Sequence, residues 1–274
     1  MEMTKKQNLV AFLVSILLVL TLPSCLKKAY DVGDGPDSAQ YGAYVTIYGN
    51  YDAGYTFLTD EGATLYPTSA SITAVLPELT REDHGISRAY VTFSVVGFTP
   101  SVITPGEVYT INLISTGYEA YIDTHNVIEL FDNQEALDTL EAKSKTIYSI
   151  DESLSWIANG YINLGINYSY FTTFTMNLAT NSHTDVNVAG NTITLTLYFD
   201  SVSTSMGMDA TGLFSFLVPY YIVNQLKSDE VYVKINGYGP SGQLGLLAQF
   251  VTNIDQLRHF DPENFLPNDF SQTH

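Results

Sequence analysis

The stretch GYTFLTDEGATLYPT, residues 54–68, predicts a β-hairpin early in the chain. Its two arms are rich in β-branched and aromatic residues, which favour strands. The arms are joined at Asp60, Glu61 and Gly62, and glycine supplies the positive φ that tight turns require. Pro67 marks the end of the second arm. The stretch therefore places two strands side by side.

Three further strand candidates surround this hairpin. YGAYVTIYGNY (residues 41–51) precedes it, and SRAYVTFSVVG (residues 87–97) follows it after a predicted loop that contains Pro77. VYTINLIS (residues 108–115) alternates apolar and polar residues, as a half-buried strand does. Five strands within about eighty residues, with no long helix between them, predict a small barrel.

The second half of the chain contains six more strand candidates, separated by polar, Gly or Asn turns. NTITLTLYFD (residues 191–200) alternates most clearly. The others are residues 154–168, 171–180, 212–221, 229–239 and 242–251. Six such segments predict an antiparallel, immunoglobulin-like β-sandwich. The overall expectation is an all-β protein, with an N-terminal barrel followed by this sandwich.

A different pattern joins the two sets of strands. FDNQEALDTLEAKSK, residues 131–145, has helix-compatible spacing, with Leu137 and Leu140 on one side. Either Asn133 or Asp132 is a suitable N-cap. The segment therefore predicts a short helix or a connecting loop.

The N-terminus predicts a signal peptide. Lys5 and Lys6 form a basic region, and the apolar run at residues 9–20 is shorter than the ~20 residues of a membrane span. The four residues that follow resemble a bacterial lipobox: Leu22, Pro23, Ser24 and Cys25. In a lipobox the cysteine receives a diacylglyceryl group and the preceding peptide is removed. Cys25 is the only cysteine, so no disulfide can form within the chain.

These patterns divide the chain into four parts. Residues 1–24 are the predicted signal peptide, and residues 25–40 form a lipidated tether rich in Gly, Asp and Pro. Residues 41–120 form the barrel. Residues 121–274 form the sandwich, with its connecting segment and tail.

The charge balance restricts the partners. The chain has 29 acidic and 11 basic residues, for a formal net charge of −18. Nucleic-acid-binding proteins supply clustered Lys and Arg to the phosphates. Nucleic acid is therefore not an expected partner, and the predicted contact with the membrane is made through the lipid.

Motifs for catalysis, metals or cofactors do not appear in the sequence. It lacks a metalloprotease HExxH, a Walker loop and a dinucleotide fingerprint, and the histidines are scattered singly. We therefore predict a protein without catalytic residues, metal ligands or cofactor. Trp156 has two interpretations, a packing anchor near a sandwich strand or an exposed ligand platform.

The 20 tyrosines are the remaining candidates for ligand binding. Tyrosine rings present flat faces to sugars, and OB-type barrels can bind oligosaccharides. The candidates near the hairpin and near the domain junction are Tyr51, Tyr55, Tyr66, Tyr118 and Tyr121. The alternative is that they are ordinary strand residues, apolar in body with a wet hydroxyl.

Several of these features together resemble the NigD-like lipoprotein family of the Bacteroidota. They are the lipobox, the acidic tether, the hairpin YTFLTDEGATLYP and the following strand SRAYVTFSVV. The resemblance implies an N-terminal OB-type barrel, a C-terminal β-sandwich and a lipid anchor in the outer membrane. It also implies a bacteriocin-immunity-like role. Surface-exposed lipoproteins of this group commonly carry acidic residues directly after the cysteine, where this chain has Leu26, Lys27 and Lys28. The sequence therefore does not predict which face of the outer membrane the protein occupies.

Two functions follow from the sequence. The first is a non-catalytic envelope lipoprotein that contacts another protein, with an immunity-like role among the options. The second is a lipoprotein that binds carbohydrate through tyrosine-rich β surfaces.

Overall fold

The computed structural model of the chain describes residues 39–82, 84–117, 120–131, 133–170, 173–202 and 208–258. The predicted signal peptide, the lipobox with Cys25, and Tyr118 lie outside these residues. So does the predicted tail from residue 259 onward.

The first sheet closes into a five-stranded barrel. Its strands are β1 (Tyr41–Asn50), β2 (Gly54–Thr59), β3 (Thr64–Pro67), β4 (Arg88–Val95) and β5 (Val108–Leu113). β1 pairs with β2 on one side and β4 on the other, and β3 pairs in parallel with β5. The order β1-β2-β3-β5-β4 thus returns to β1, which confirms the predicted OB-like barrel. A short strand, β6 (Ala120–Tyr121), pairs with β4.

A helical segment between β3 and β4 covers the barrel core, where the sequence predicted a loop. It consists of α1 (Ser69–Val75) and a 3₁₀ helix (Pro77–Thr80). Neither makes a side-chain N-cap bond, and α1 contains β-branched residues and serines that are weak helix formers. Ile72, Leu76 and Leu79 are nevertheless buried in the barrel core. Tertiary packing, and not local propensity, therefore stabilises this segment.

Two sheets form the second half of the chain. The strands and helices here are β7 (Asp123–Asn126), β8 (Ile128–Glu129), α2 (Gln134–Lys143), β9 (Ile147–Ala158), β10 (Tyr161–Tyr170), β11 (Thr173–Thr180), β12 (Val186–Asn187), β13 (Thr192–Val202), β14 (Met208–Leu217), α3 (Tyr220–Val223), β15 (Glu230–Tyr238), β16 (Leu244–Asn253) and α4 (Ile254–Leu257). One sheet has the order β7-β14-β10-β9 and the other the order β16-β15-β13-β11-β8, with β12 beside β13.

The two sheets pack face to face around one core. Leu164 and Phe216 of one sheet and Leu195 and Val233 of the other are completely buried in the same cluster. The predicted sandwich is therefore confirmed. Its sheets are mixed, because β7–β14, β8–β11 and β13–β15 pair in parallel. The barrel core is a separate cluster.

One predicted strand proved to be two. The segment predicted at residues 154–168 contains the end of β9 and most of β10. The chain reverses between them at Asn159 and Gly160, whose φ angles of 53° and 83° match the two left-handed positions of a type I′ turn. The Asn-Gly pair is the sequence signal that identifies this hairpin.

Other predicted boundaries agree with the structure or shift for clear reasons. α2 lies inside the predicted helical segment, and Asn133 Oδ1 caps it by accepting the Ala136 N–H at 3.0 Å. The strand predicted up to residue 221 ends at Leu217, and Pro219 precedes α3. Among the described residues, every helix falls short of the length and apolarity that crossing a bilayer demands.

Candidate functional site

The predicted ligand-binding tyrosines near the hairpin contact the helical segment that covers the barrel. Tyr55 is buried, and its hydroxyl donates to the carbonyl oxygen of Leu79 at 2.5 Å. Tyr51 is more exposed, and its hydroxyl shares a hydrogen bond of 3.3 Å with Thr73 Oγ1. Both hydroxyls therefore hold α1 and the 3₁₀ helix against the barrel.

Tyr121 makes a third contact with the same segment. Its hydroxyl donates to Glu78 Oε2 at 2.6 Å. Burial and this hydrogen bond raise the pKa of Tyr121, and the same bond lowers the pKa of Glu78. Tyr66 is half-buried on β3, and Tyr118 lies outside the described residues. Tyr51, Tyr55 and Tyr121 thus hold the helical segment against the barrel. The part of the predicted tyrosines in ligand binding stays a prediction.

A buried ion pair connects the hairpin to β4. Arg88 Nη2 lies 2.6 Å from Asp60 Oδ2, and Nη1 lies 3.0 Å from Oδ1, which is a bidentate arrangement. The two side chains are 0% and 6% exposed. Arg88 Nη1 also donates to Thr46 Oγ1 at 2.7 Å. The predicted turn residue Asp60 is therefore a buried structural carboxylate.

The sandwich completes the hydrogen bonding of this carboxylate. Trp156 Nε1 donates to Asp60 Oδ2 at 2.7 Å, and Asn159 Nδ2 donates to Oδ1 at 3.2 Å. The Trp156 ring packs on Tyr44, with their centroids 4.6 Å apart. Of the two interpretations of Trp156, the structure favours the packing anchor, at the contact between barrel and sandwich. Because Asp60 already has partners on both sides, this network is suited to holding the fold and not to binding a ligand.

The other titratable candidates are dispersed. Asp151 Oδ1 accepts hydrogen bonds from the N–H and the hydroxyl of Ser153, and His84 Nδ1 accepts the N–H of Ile86. His125 lies against Asp123. Across the residues that the structure describes, no three His, Cys, Asp or Glu side chains are grouped to hold a metal ion.

An aromatic cluster that sequence reasoning missed lies at the end of β8. We call it the Glu129 cluster; its members are Glu129, Phe131, Ser182, His183 and Tyr221. The rings of Phe131 and His183 stack with centroids 3.8 Å apart and an interplanar angle of 19°. Glu129 Oε1 accepts the N–H of Phe131 at 2.8 Å and the N–H of Ser182 at 3.1 Å. Glu129 Oε2 accepts the hydroxyl of Tyr221 at 3.3 Å.

The electrostatics of this cluster keep Glu129 ionised. Burial raises the pKa of the carboxyl, but the N–H groups of Ser182 and Phe131 and the hydroxyls of Ser182 and Tyr221 outweigh burial. The pKa of Glu129 therefore lies below its ordinary value. A separate groove of about 390 Å³ lies between β8 and α2. It is lined by Ile128, Asn133, Glu135, Ala136, Thr139 and Leu140.

The second surface is the outer strand of the larger sandwich sheet, β16. This strand lies at the end of its sheet and pairs with β15. Leu244, Leu246 and Val251 are 49%, 58% and 57% exposed. The ten residues LGLLAQFVTN contain no charged side chain, in a chain with a net charge of −18. The predicted strand had this composition, but its position at a sheet edge could not be read from the sequence.

A β-bulge explains why the apolar residues of β16 share one face. Asn236 pairs with Leu246 and Ile235 with Ala248, so Leu247 is an extra residue in the strand. The side chains of Leu247 and Ala248 both pack on the sandwich core. The outward face therefore continues from even positions before the bulge to odd positions after it.

The barrel carries a third exposed apolar group, in and beside the loop between β4 and β5. It consists of Val96, Phe98, Val102 and Val108. Phe98 packs against the ring of Tyr109 at 6.2 Å. The loop is therefore partly anchored, although Val102 is 59% exposed.

Comparison with known proteins places the fold. No protein-family model and no curated protein matches the sequence. A solved structure from Parabacteroides distasonis, described as toxin-related, is 19% identical with a TM-score of 0.54, over 79% of this chain and 95% of that one. A protein of unknown function from Bacteroides vulgatus is 15% identical with a TM-score of 0.51, over 82% and 98%. At these identities the likeness shows a shared fold.

The structural neighbours also include a NigD-like immunity protein from Bacteroides caccae. It is 14% identical with a TM-score of 0.47, over 77% of this chain and 96% of that one. Structural neighbours of this chain thus include NigD-like and other Bacteroidales proteins. The fold assignment itself rests on the two structures with the higher scores.

Proposed function

We propose that the chain is a non-catalytic envelope lipoprotein that binds another protein by strand addition along β16. The observation that carries the proposal is the uncharged ten-residue edge strand with three exposed apolar side chains. Anchoring through a lipid on Cys25 would hold this edge strand at the outer membrane, on either its periplasmic or its outer face.

The physical basis is the unsatisfied backbone of an edge strand. The N–H and C=O groups on its outer side can form a ladder with an added strand, and alternate side chains then provide specificity. Natural proteins usually protect such edges with Lys, Pro or short strands. β16 has none of these, and a bulge is its only protective feature. An edge strand without these protective features is suited to pairing with a strand of another protein.

We infer that the partner is a toxin, so that binding serves an immunity-like role. The toxin-related description of the Parabacteroides distasonis structure supports this inference, as does the resemblance to NigD-like lipoproteins. A net charge of −18 also favours association with a cationic polypeptide.

The test is a pull-down from detergent-solubilised envelopes with the full chain as bait. Leu246→Asp places a charge on the outward face of β16, and Val102→Asp on the barrel loop is the matched control, since the two side chains are equally exposed. We expect the wild type and Val102→Asp to recover the same partner and Leu246→Asp to lose it. Recovery of no specific partner, or equal recovery by Leu246→Asp, would contradict the proposal. Circular dichroism of each variant checks that the fold is retained.

A further inference from the structure

We propose that the Glu129 cluster forms a binding site for an uncharged glycan. The site is independent of β16 and uses none of the tyrosines that the sequence indicated. It would give the protein a carbohydrate ligand in addition to a protein partner.

The first argument is the fixed aromatic surface. Phe131 is 43% exposed although one side of its ring stacks on His183. Tyr221, on α3, is 50% exposed and contributes a second ring beside the same carboxylate. Rings held in place bind the C–H face of a pyranose with little loss of side-chain entropy.

The second argument is the carboxylate between the rings. Glu129 Oε1 is occupied by two backbone N–H groups, which fix the side chain. Oε2 accepts the hydroxyl of Tyr221 at 3.3 Å, a long bond that a sugar hydroxyl can displace. Because Glu129 is ionised at neutral pH, it acts as an acceptor alone.

The charge of the site selects the class of glycan. Glu129 is ionised, and the whole chain carries a net charge of −18. Acidic polysaccharides would be repelled. The preferred ligand is therefore a neutral hexose polymer or oligosaccharide.

The test is affinity electrophoresis of the full chain in native gels that contain a soluble polysaccharide. The neutral probes are mannan, dextran and a β-glucan, and the acidic probe is polygalacturonate. We expect at least one neutral probe to retard the protein, and polygalacturonate to have no effect.

The variants separate a ligand site from a structural cluster. Phe131→Ala should weaken the retardation about tenfold, as expected for the loss of one stacking ring. Tyr148→Ala, on β9, removes a ring of the same 43% exposure and should leave retardation unchanged. Leu246→Asp should also leave it unchanged, because the site does not depend on β16. Absence of retardation with every neutral probe, or equal retardation of Phe131→Ala and wild type, would overturn the proposal.

Discussion

Asp60 shows how one residue can serve both the local turn and the distant contact. It lies at the end of the first hairpin arm, where the sequence predicts a turn. Its carboxylate accepts hydrogen bonds from Arg88 on β4 and from Trp156 and Asn159 of the sandwich. A carboxylate taken out of water requires such partners. The contact between barrel and sandwich is therefore centred on a charge whose hydrogen-bonding partners come from both parts.

Substitutions at this ion pair should be strongly coupled. We expect Asp60→Asn and Arg88→Met each to lower the free energy of unfolding by ~3–5 kcal/mol, because each leaves the other partner buried and uncompensated. The double variant should lose less than the sum, since it buries no lone charge. Urea denaturation followed by the fluorescence of Trp156, the only tryptophan, measures the effect at the contact itself. Additive losses in the double variant would show that the two side chains do not act as a pair.

At the scale of the element, β9 departs most from a regular strand. Its pairing with β10 shifts between Trp156 and Asp151, so residues 152–155 form a bulge. Leu154 in this bulge lies over Gly165 on β10. The Ser155 hydroxyl supports the bulge by accepting the N–H of Gly165 at 3.0 Å. Glycine is thus required at position 165 for space and not for its backbone angles.

Gly165→Ala should therefore destabilise the sandwich. A Cβ at this position would lie 2.5 Å from Leu154 Cβ and 3.1 Å from the Leu154 carbonyl oxygen. Relief of this overlap requires a backbone shift in the bulge, for which we expect a loss of ~1–3 kcal/mol in thermal or urea unfolding. Gly245→Ala on β16 is the control, because a Cβ there meets no atom within 4 Å. A change within ~0.5 kcal/mol is expected for the control. Equal stability of the two variants would disprove the role of Leu154.

At the scale of the whole molecule, anchoring and binding are separate properties. The lipid on Cys25 would decide where the protein is held, and the exposed surfaces of β16 and the Glu129 cluster would decide what it binds. With two or three acyl chains the anchor would be firm, at ~0.8 kcal/mol for each buried methylene group. A net charge of −18 would keep the domain itself away from anionic lipid.

The anchor can be tested without reference to the ligand. Cys25→Ala should abolish labelling by radioactive palmitate and leave the unprocessed precursor, because the thiol that accepts the lipid is absent. Ser24→Ala keeps a small residue before the cysteine and should be labelled and processed normally. Labelling is measured by immunoprecipitation and autoradiography. Continued lipid labelling of Cys25→Ala would refute the lipobox assignment.

Local patterns in the sequence were sufficient for most of the fold. Alternation of apolar and polar residues located the barrel strands within one or two residues. Helix spacing located the segment of α2, and Asn133 was one of its two predicted cap residues. Both signals depend on neighbours a few residues apart. The hairpin at Asn159 and Gly160 was also encoded locally, although it was predicted as part of one strand.

The tertiary structure decided the features that depend on residues far apart in the chain. α1 forms because Ile72 enters the barrel core, and β16 becomes a free edge because no described strand pairs on its outer side. The stack of Phe131 on His183 joins residues more than fifty positions apart. The sequence by itself determined most of the long strands and predicted lipidation at Cys25. Only the packing of those segments decided which surfaces stay exposed, because exposure is set by what the rest of the chain leaves uncovered.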